Sequence, residues 1–178
     1  MSDPTPGEPD EGGLLLLIDP GWSSTEDTSI PPAEVLLGAW VVTADGERGP
    51  FQPNPVYRPA GQDSPLDPVD AVLRRLAQGE QAADLLPSVL RDVTVAIAVD
   101  DEGVALVRPA PDGVPSVLVT TSFGHRTRLD VPGWANLTIG QLADALPESG
   151  VDVLLNPGGP AAMRVHAGSV RAIAAGAA

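Results

Sequence analysis

Residues 93–121 read VTVAIAVDDEGVALVRPAPDGVPSVLVTT, in which short apolar runs alternate with turns. The run Val93–Val99 is rich in β-branched residues, and the four acidic and glycine residues after it are a turn signal. We therefore predict a hairpin whose second strand is Val104–Val107. Asp112–Gly113 predicts a further turn, which leads into a third strand over Val114–Thr121. Strands joined by such short turns indicate a sheet that is mainly antiparallel.

Helical patterns precede and follow these strands. Asp67 before Pro68 is a typical N-cap followed by proline in the first turn, and the helix is predicted to end near Gly79. A second short helix is predicted around residues 85–90. Thr138 and Gln141 have the spacing of a capping box, which predicts a third helix up to residue 146.

The C-terminal part predicts two more strands and a last helix. Val151–Leu155 is typical of a buried strand, Met163–Val165 of a short strand, and Ser169–Ala175 of a helix. Because the strands cluster along the chain and the helices flank them, we predict an α+β fold with a mixed or mainly antiparallel sheet.

Before residue 66 the pattern is different. Residues 1–13 are acidic and rich in proline and glycine, which predicts a disordered arm. Leu14–Ile18 predicts a strand buried on both faces, and Val35–Thr43 a second strand. Asp45–Gly46 predicts a type I′ turn into a short strand over Arg48–Gln52. The prolines of residues 53–68 exclude a helix there and predict a semi-rigid connector.

These patterns divide the chain into three parts. Residues 1–13 are the arm, residues 14–65 are a strand and hairpin segment with its connector, and residues 66–178 are an α+β domain. We expect residues 14–65 and 66–178 to form one compact unit, because the shorter segment holds too few apolar residues to fold alone.

Composition excludes several classes of function. The chain has 178 residues, of which 24 are acidic and 10 basic, and its net charge is −14. Nucleic acids and anionic membranes are bound by clustered cations, so neither is an expected partner. The absence of cysteine excludes disulfides, thiolate catalysis and Cys-ligated zinc. No apolar run has the length of a membrane span, and no secretory signal is recognised, so a cytoplasmic location is predicted.

The sequence offers few candidates for catalysis or for cofactor binding. Ser122 and His125 lie three residues apart, but no Gly-x-Ser-x-Gly motif exposes the serine. Asp100–Glu102 is more typical of a solvated turn than of a calcium loop. Asn156–Pro160 predicts a tight turn after a strand, since its two prolines remove amides that a phosphate loop would need. We therefore predict no catalytic residue, no metal and no cofactor.

Aromatic and basic residues in loops are the usual anchors of protein interfaces. For most of the aromatic ones the simpler interpretation is that they pin loops onto the domain. The candidate partner-binding residues are Trp22, Tyr57, Arg58, Phe123, His125 and Trp134.

Two parts of the sequence resemble known families. Residues 66–175 resemble the SseB-type domain through residues 67–71 (DPVDA), 118–122 (LVTTS) and 153–158 (VLLNPG). The N-terminal part is similar to the lead segment of actinobacterial type VII secretion system-associated proteins, through residues 19–22 (DPGW), 38–40 (GAW) and 54–59 (NPVYRP). The resemblance implies an α+β fold and a cytosolic accessory protein linked to secretion, and it implies no catalytic residues. Residues 124–128, with a histidine and two arginines, depart from the pattern.

The leading hypothesis is a non-enzymatic module that binds a secretion component or a secreted substrate. Its acidic surface would favour basic partners. One alternative is an immunity-type or regulatory protein that neutralises a basic partner. Another is a hydrolase that uses Ser122 and His125 with an acidic residue, which requires His125 to bond both a serine and a carboxylate.

Overall fold

A computed structural model describes residues 12–25 and 29–177 of the chain. The fold is α+β, as predicted, and is built from a three-stranded antiparallel sheet and a six-stranded mixed sheet. The predicted arm falls almost wholly outside the described residues, except that Gly13 already belongs to the first strand.

The three-stranded sheet contains β1 (Gly13–Ile18), β2 (Leu36–Val42) and β3 (Arg48–Pro53), in that spatial order. A one-turn 3₁₀ helix, Ala33–Val35, precedes β2. Both strands of the predicted β2–β3 hairpin are confirmed. The type I′ turn is wrong, because among the turn residues only Gly46 has a positive φ, of 80°. Its N–H donates to the Thr43 carbonyl, which is the geometry of a three-residue loop, a type I turn followed by a glycine bulge.

The predicted burial of Leu14–Ile18 on both faces is also wrong. β1 is an edge strand of the three-stranded sheet, and its first four residues are exposed. The core covers one face of this sheet only, where Trp40, paired with Leu15, is buried. A continuous apolar run therefore indicated a strand correctly but not its environment.

The six-stranded sheet has the strand order β7-β4-β6-β8-β9, with β5 paired to β6. Its pairings are antiparallel except for β6 with β8, which is parallel. The strands are β4 (Val95–Val99), β5 (Val107–Pro109), β6 (Pro115–Thr120), β7 (Gly133–Leu137), β8 (Asp152–Leu155) and β9 (Met163–Val165).

The hairpin predicted for Val93–Val99 and Val104–Val107 forms only in part. After the turn at Asp100 the chain makes a single bridge, between Val99 and Ala105. It then leaves β4, and β5 pairs with β6 instead. The two strands β4 and β5 thus follow one another along the same partner.

The helices are α1 (Pro68–Ala77), α2 (Leu86–Asp92), α3 (Phe123–Arg126), α4 (Ile139–Ala145) and α5 (Ala167–Ala174), and a 3₁₀ turn, Ala83–Leu85, precedes α2. The predicted caps are confirmed. Asp67 accepts hydrogen bonds from the N–H groups of Val69 and Asp70, and Thr138 and Gln141 form the capping box.

One apolar cluster joins the two sheets. Trp40 and Phe51 of the three-stranded sheet belong to the same buried cluster as Val72 of α1 and Val89 of α2, and the inner face of the six-stranded sheet continues it. A smaller cluster, with Ala98, Ala110, Leu118 and Leu154, lies on the opposite face of the six-stranded sheet.

Candidate functional site

The N-terminal candidates for partner binding are held by a buried carboxylate. Asp19 accepts hydrogen bonds from the N–H groups of Gly21 and Ala60, and its Oδ2 lies 2.8 Å from the Tyr57 hydroxyl. Burial alone would raise the pKa of Asp19, but these hydrogen bonds hold it below its ordinary value. The pKa of Tyr57 is raised, by burial and by this carboxylate. Tyr57 and Trp22 are half-buried, so each combines a structural contact with some accessible ring surface.

Arg58 and the candidates near α3 differ in exposure. Arg58 is exposed, and Phe123 has 74% of its surface accessible. Trp134 is half-buried on β7, packs against the smaller apolar cluster, and has the Arg126 guanidinium 5.8 Å from its ring centroid. Phe123 is therefore the most accessible of the predicted aromatic residues.

The prediction that His125 contacts a partner is corrected by its position. Its side chain is completely buried, because the short helix α3 turns the ring inward against α1 and the loop after β8. A Cβ placed on Gly159 would lie 3.4 Å from Nδ1, so the backbone closes over one side of the ring. No surface of this imidazole is available to another molecule.

His125 belongs to a cluster of buried polar side chains. Its Nε2 lies 3.5 Å from Asp70 Oδ1 and 4.0 Å from Asp67 Oδ2. Asp70 Oδ2 in turn accepts hydrogen bonds from Arg74 Nε and from the Leu66 N–H, both at 3.0 Å. The cluster therefore places the Asp70 carboxylate between an imidazole and a guanidinium, with Asp67 also near the imidazole nitrogen.

A second part of the cluster fixes the ends of two strands. Thr121 Oγ1 donates to Asp67 Oδ2 at 2.6 Å, and the Thr121 N–H donates to Asn156 Oδ1 at 2.9 Å. Asn156 is the residue after β8 and has φ of 48°, a conformation that non-glycine residues adopt rarely. The motifs that suggested a resemblance, at residues 67–71, 118–122 and 153–158, thus meet in space at this cluster.

The two carboxyl groups have pKa values shifted in opposite directions. Burial raises the pKa of Asp67, against the hydrogen bonds from Thr121 and from the Asp70 N–H. Burial also acts to raise the pKa of Asp70, but His125, the Leu66 N–H and Arg74 outweigh it, and the pKa falls below its ordinary value. Pairs of carboxyl groups whose pKa values are shifted in opposite directions are a common feature of acid–base sites.

The contacts required of a serine hydrolase are not formed. Ser122 Oγ and both ring nitrogens of His125 have no hydrogen-bond partner, so no Ser122–His125 hydrogen bond exists. Asp70 Oδ1 lies 3.5 Å from Nε2 without forming a hydrogen bond, so neither the serine nor the carboxylate contact of the stated requirement is made. Asp100, considered above as part of a calcium loop, forms a turn in which its Oδ1 accepts from the Glu102 and Val104 N–H groups.

The surface beside β1 exposes several apolar side chains on one face of a sheet. On the outer face of the three-stranded sheet, Leu14 is paired with Val41, and Leu14, Leu16 and Val41 are 67%, 42% and 52% exposed. We call these three residues the outer patch. Contiguous exposed apolar groups of this kind mark interaction sites more often than isolated ones do.

A groove of about 960 Å³ lies on the other side of this sheet. Leu17 and Ile18, at the end of β1, line one side, and Pro68, Ala71 and Val72 of α1 line the other. Further apolar lining comes from Trp40, Leu85 and Val89. The end of β1 therefore lies between the outer patch and an apolar groove.

Charged groups around the groove are mostly paired. Arg48 Nη2 contacts Asp92 at 2.6 Å, and Arg75 Nε contacts Glu80 at 2.7 Å. Arg74, as described, is bound to Asp70. With the lining residues Asp19 and Asp63, five carboxylates stand against three guanidinium groups. The groove and its immediate surroundings therefore have an excess of negative charge.

Sequence reasoning missed the outer patch and the groove. Leu14 and Leu16 were assigned to a buried strand, and nothing local distinguishes a buried leucine run from an exposed edge. The groove depends on how α1 packs beside β1, and these elements are far apart in the chain. A weak signal was available, since Ala71 and Arg75 lie one helical turn apart on the polar side of α1.

Comparisons with known proteins give no relative from which a function could be inferred. No family model, no curated protein and no solved structure matches the chain. Within residues 12–25 and 29–177, no helix is long and apolar enough to span a membrane. Nor do these residues include a group of three or more histidine, aspartate or glutamate side chains placed to hold a metal ion.

Proposed function

We propose that this chain is a non-enzymatic accessory module that binds a partner protein through β1 and the outer patch. The observation that carries the proposal is the exposure of Leu14, Leu16 and Val41 at the edge of a sheet. A net charge of −14 favours a basic partner and faster association at low salt. The resemblance to SseB-type and type VII secretion-associated proteins makes a cytoplasmic secretion component, or a substrate before its export, the proposed partner.

The test is capture of the partner by the wild-type chain and by two variants. The double variant Leu14→Lys, Leu16→Lys places charge on the outer patch without changing the core. The control, Val104→Lys, places one lysine at a 61% exposed valine in the turn after β4. Extracts of the native host are applied at low and at high salt, and bound proteins are quantified by mass spectrometry.

We expect one set of proteins to be bound by the wild type and by Val104→Lys, and to be reduced about tenfold or more with the double variant. Binding should also weaken as salt rises, because exposed charges are screened. Equal capture by the double variant, or no specific capture at low salt, would refute the proposal.

A further inference from the structure

The backbone of β1 can accept another strand. β1 is hydrogen-bonded to β2 on one side, and within residues 12–25 and 29–177 no other strand of the sheet lies beside it. An edge strand of this kind presents a row of N–H and C=O groups that an extended peptide can pair with. The proposed function requires a bound partner, and this edge indicates the conformation in which a partner segment would bind.

The side chains beside β1 indicate which residues such a segment carries. Side chains alternate between the two faces of a strand, so a segment paired with β1 would send every second side chain toward the groove. There it would meet Leu17 and the α1 and α2 residues Val72 and Val89, which suit an apolar group. The intervening side chains would lie beside Leu14 and Leu16, which long aliphatic stems could cover.

The net charge of −14 selects the ends of those stems, which lie on the face of the sheet opposite the groove. Five carboxylates against three guanidinium groups leave an excess of negative charge, and exposed Asp63 lies on the lining. An acidic segment would be repelled, whereas arginine or lysine would be attracted while its stem covers the outer patch.

We propose that β1 and the groove beside α1 bind an extended basic segment of a partner protein, in which apolar residues alternate with arginine or lysine. The segment adds to the three-stranded sheet as a fourth strand, and its apolar side chains enter the groove. This inference rests on the proposed function and names the class of ligand for it.

The test uses a fluorescent peptide in which valine alternates with lysine and arginine, and measures its binding to the full chain by anisotropy. The first comparison peptide has the same composition, but its valines stand in one block. The second keeps the alternation and replaces lysine and arginine with glutamate and aspartate. A third carries N-methyl groups on alternate backbone nitrogens, which removes the donors needed for pairing with a strand.

We expect the alternating basic peptide to bind at least about tenfold more tightly than each comparison peptide. Ala71→Trp, which fills the groove from α1, should weaken binding to the same extent, and Val104→Lys should leave it unchanged. Because the N-methylated peptide is tested on the wild-type protein, the result does not depend on the folding of a variant.

Strand addition would be overturned if the peptide with its valines in one block, or the N-methylated peptide, bound as tightly as the alternating basic peptide. It would also be overturned if no peptide bound. If the double variant Leu14→Lys, Leu16→Lys nevertheless captures fewer host proteins than the wild type, the proposed function stands and only this ligand class fails. If capture is also unaffected by that variant, both fail.

Discussion

Trp40 Nε1 donates a hydrogen bond of 2.9 Å to Asp92 Oδ2, and this bond ties the three-stranded sheet to the end of helix α2. The same carboxylate oxygen receives Arg48 Nη2 at 2.6 Å, and the Arg48 guanidinium lies 5.0 Å from the centre of the Trp40 ring. One carboxylate therefore joins a core aromatic residue, a strand and a helix that are distant in sequence.

Asp92→Ala should lower the free energy of unfolding by about 1–3 kcal/mol, because it leaves the Trp40 N–H without its partner. Asp92→Asn should cost less, since an amide oxygen can still accept from Trp40. Urea denaturation monitored by tryptophan fluorescence measures both. A cost for Asp92→Asn equal to that for Asp92→Ala would mean that the charge pair with Arg48, not the indole bond, stabilises this contact.

Gly38 in β2 is required by a close approach of β3. A Cβ at this position would lie 2.4 Å from Phe51 Cζ and 2.3 Å from the Gln52 carbonyl oxygen. We predict that Gly38→Ala destabilises the protein by about 1–3 kcal/mol, because a backbone atom cannot move aside as a flexible side chain can. The matched control is Gly49→Ala in β3, where the nearest atom is at 3.5 Å. Thermal unfolding of the two variants should differ clearly, and similar midpoints would contradict the packing described here.

Asp70 makes the stability of the fold depend on pH. Its folded-state pKa is lowered, so the unfolded chain binds a proton at higher pH than the folded chain does. The stabilisation is therefore present above the unfolded value of about 4, and it is lost as pH falls toward the folded-state pKa. Denaturation curves between about pH 6 and 2.5 should show a shallower decline for Asp70→Asn than for the wild type.

Three other carboxyls contribute to the same decline, and one of them is Asp19, whose pKa is lowered by the hydrogen bonds described above. Arg164 lowers the pKa of Asp112, and the Ala167 N–H lowers that of Asp152, so Asp70→Asn should remove only part of the slope. Asp63→Asn, at an exposed position outside the cluster, serves as the control. An unchanged slope for Asp70→Asn would show that its carboxylate is not held by the buried cluster.

Asn156 combines an unusual backbone conformation with two side-chain hydrogen bonds to Thr121. Asn156→Gly removes the side-chain amide, but glycine still adopts the positive φ easily. Asn156→Ala removes the amide as well and makes the positive φ unfavourable. We expect a cost of about 1–3 kcal/mol for the loss of the bonds and about 1 kcal/mol more for alanine. Chemical denaturation of both variants separates the two contributions. Equal stability of the glycine and alanine variants would exclude a backbone contribution.

Local signals in the sequence predicted local structure well. The N-cap at Asp67 and the capping box at Thr138 are correct because each depends on residues within one turn of a helix. Most of the other strands and helices follow from the same kind of signal, but β7 at Gly133–Leu137 was not predicted.

Features that depend on competition between distant segments were not predicted. The segment after Asp100 could pair with β4 or with β6, and its own residues do not determine which. The burial of His125 depends on Asp67 and Asp70, which approach it only when α1 packs against the ends of β6 and β8. The exposure of Leu14 likewise depends on which face of its sheet the helices cover.

The parallel pairing of β6 with β8 has a consequence for how the protein is made. A ribosome that has released β6 has still to synthesise α3, β7 and α4 before residues 152–155 emerge. During that interval Val117, Leu118 and Val119 form an unpaired apolar edge of the kind that promotes aggregation of nascent chains. Premature stop codons before residue 152 should therefore yield insoluble product, and a slow codon in this interval would prolong the need for a chaperone.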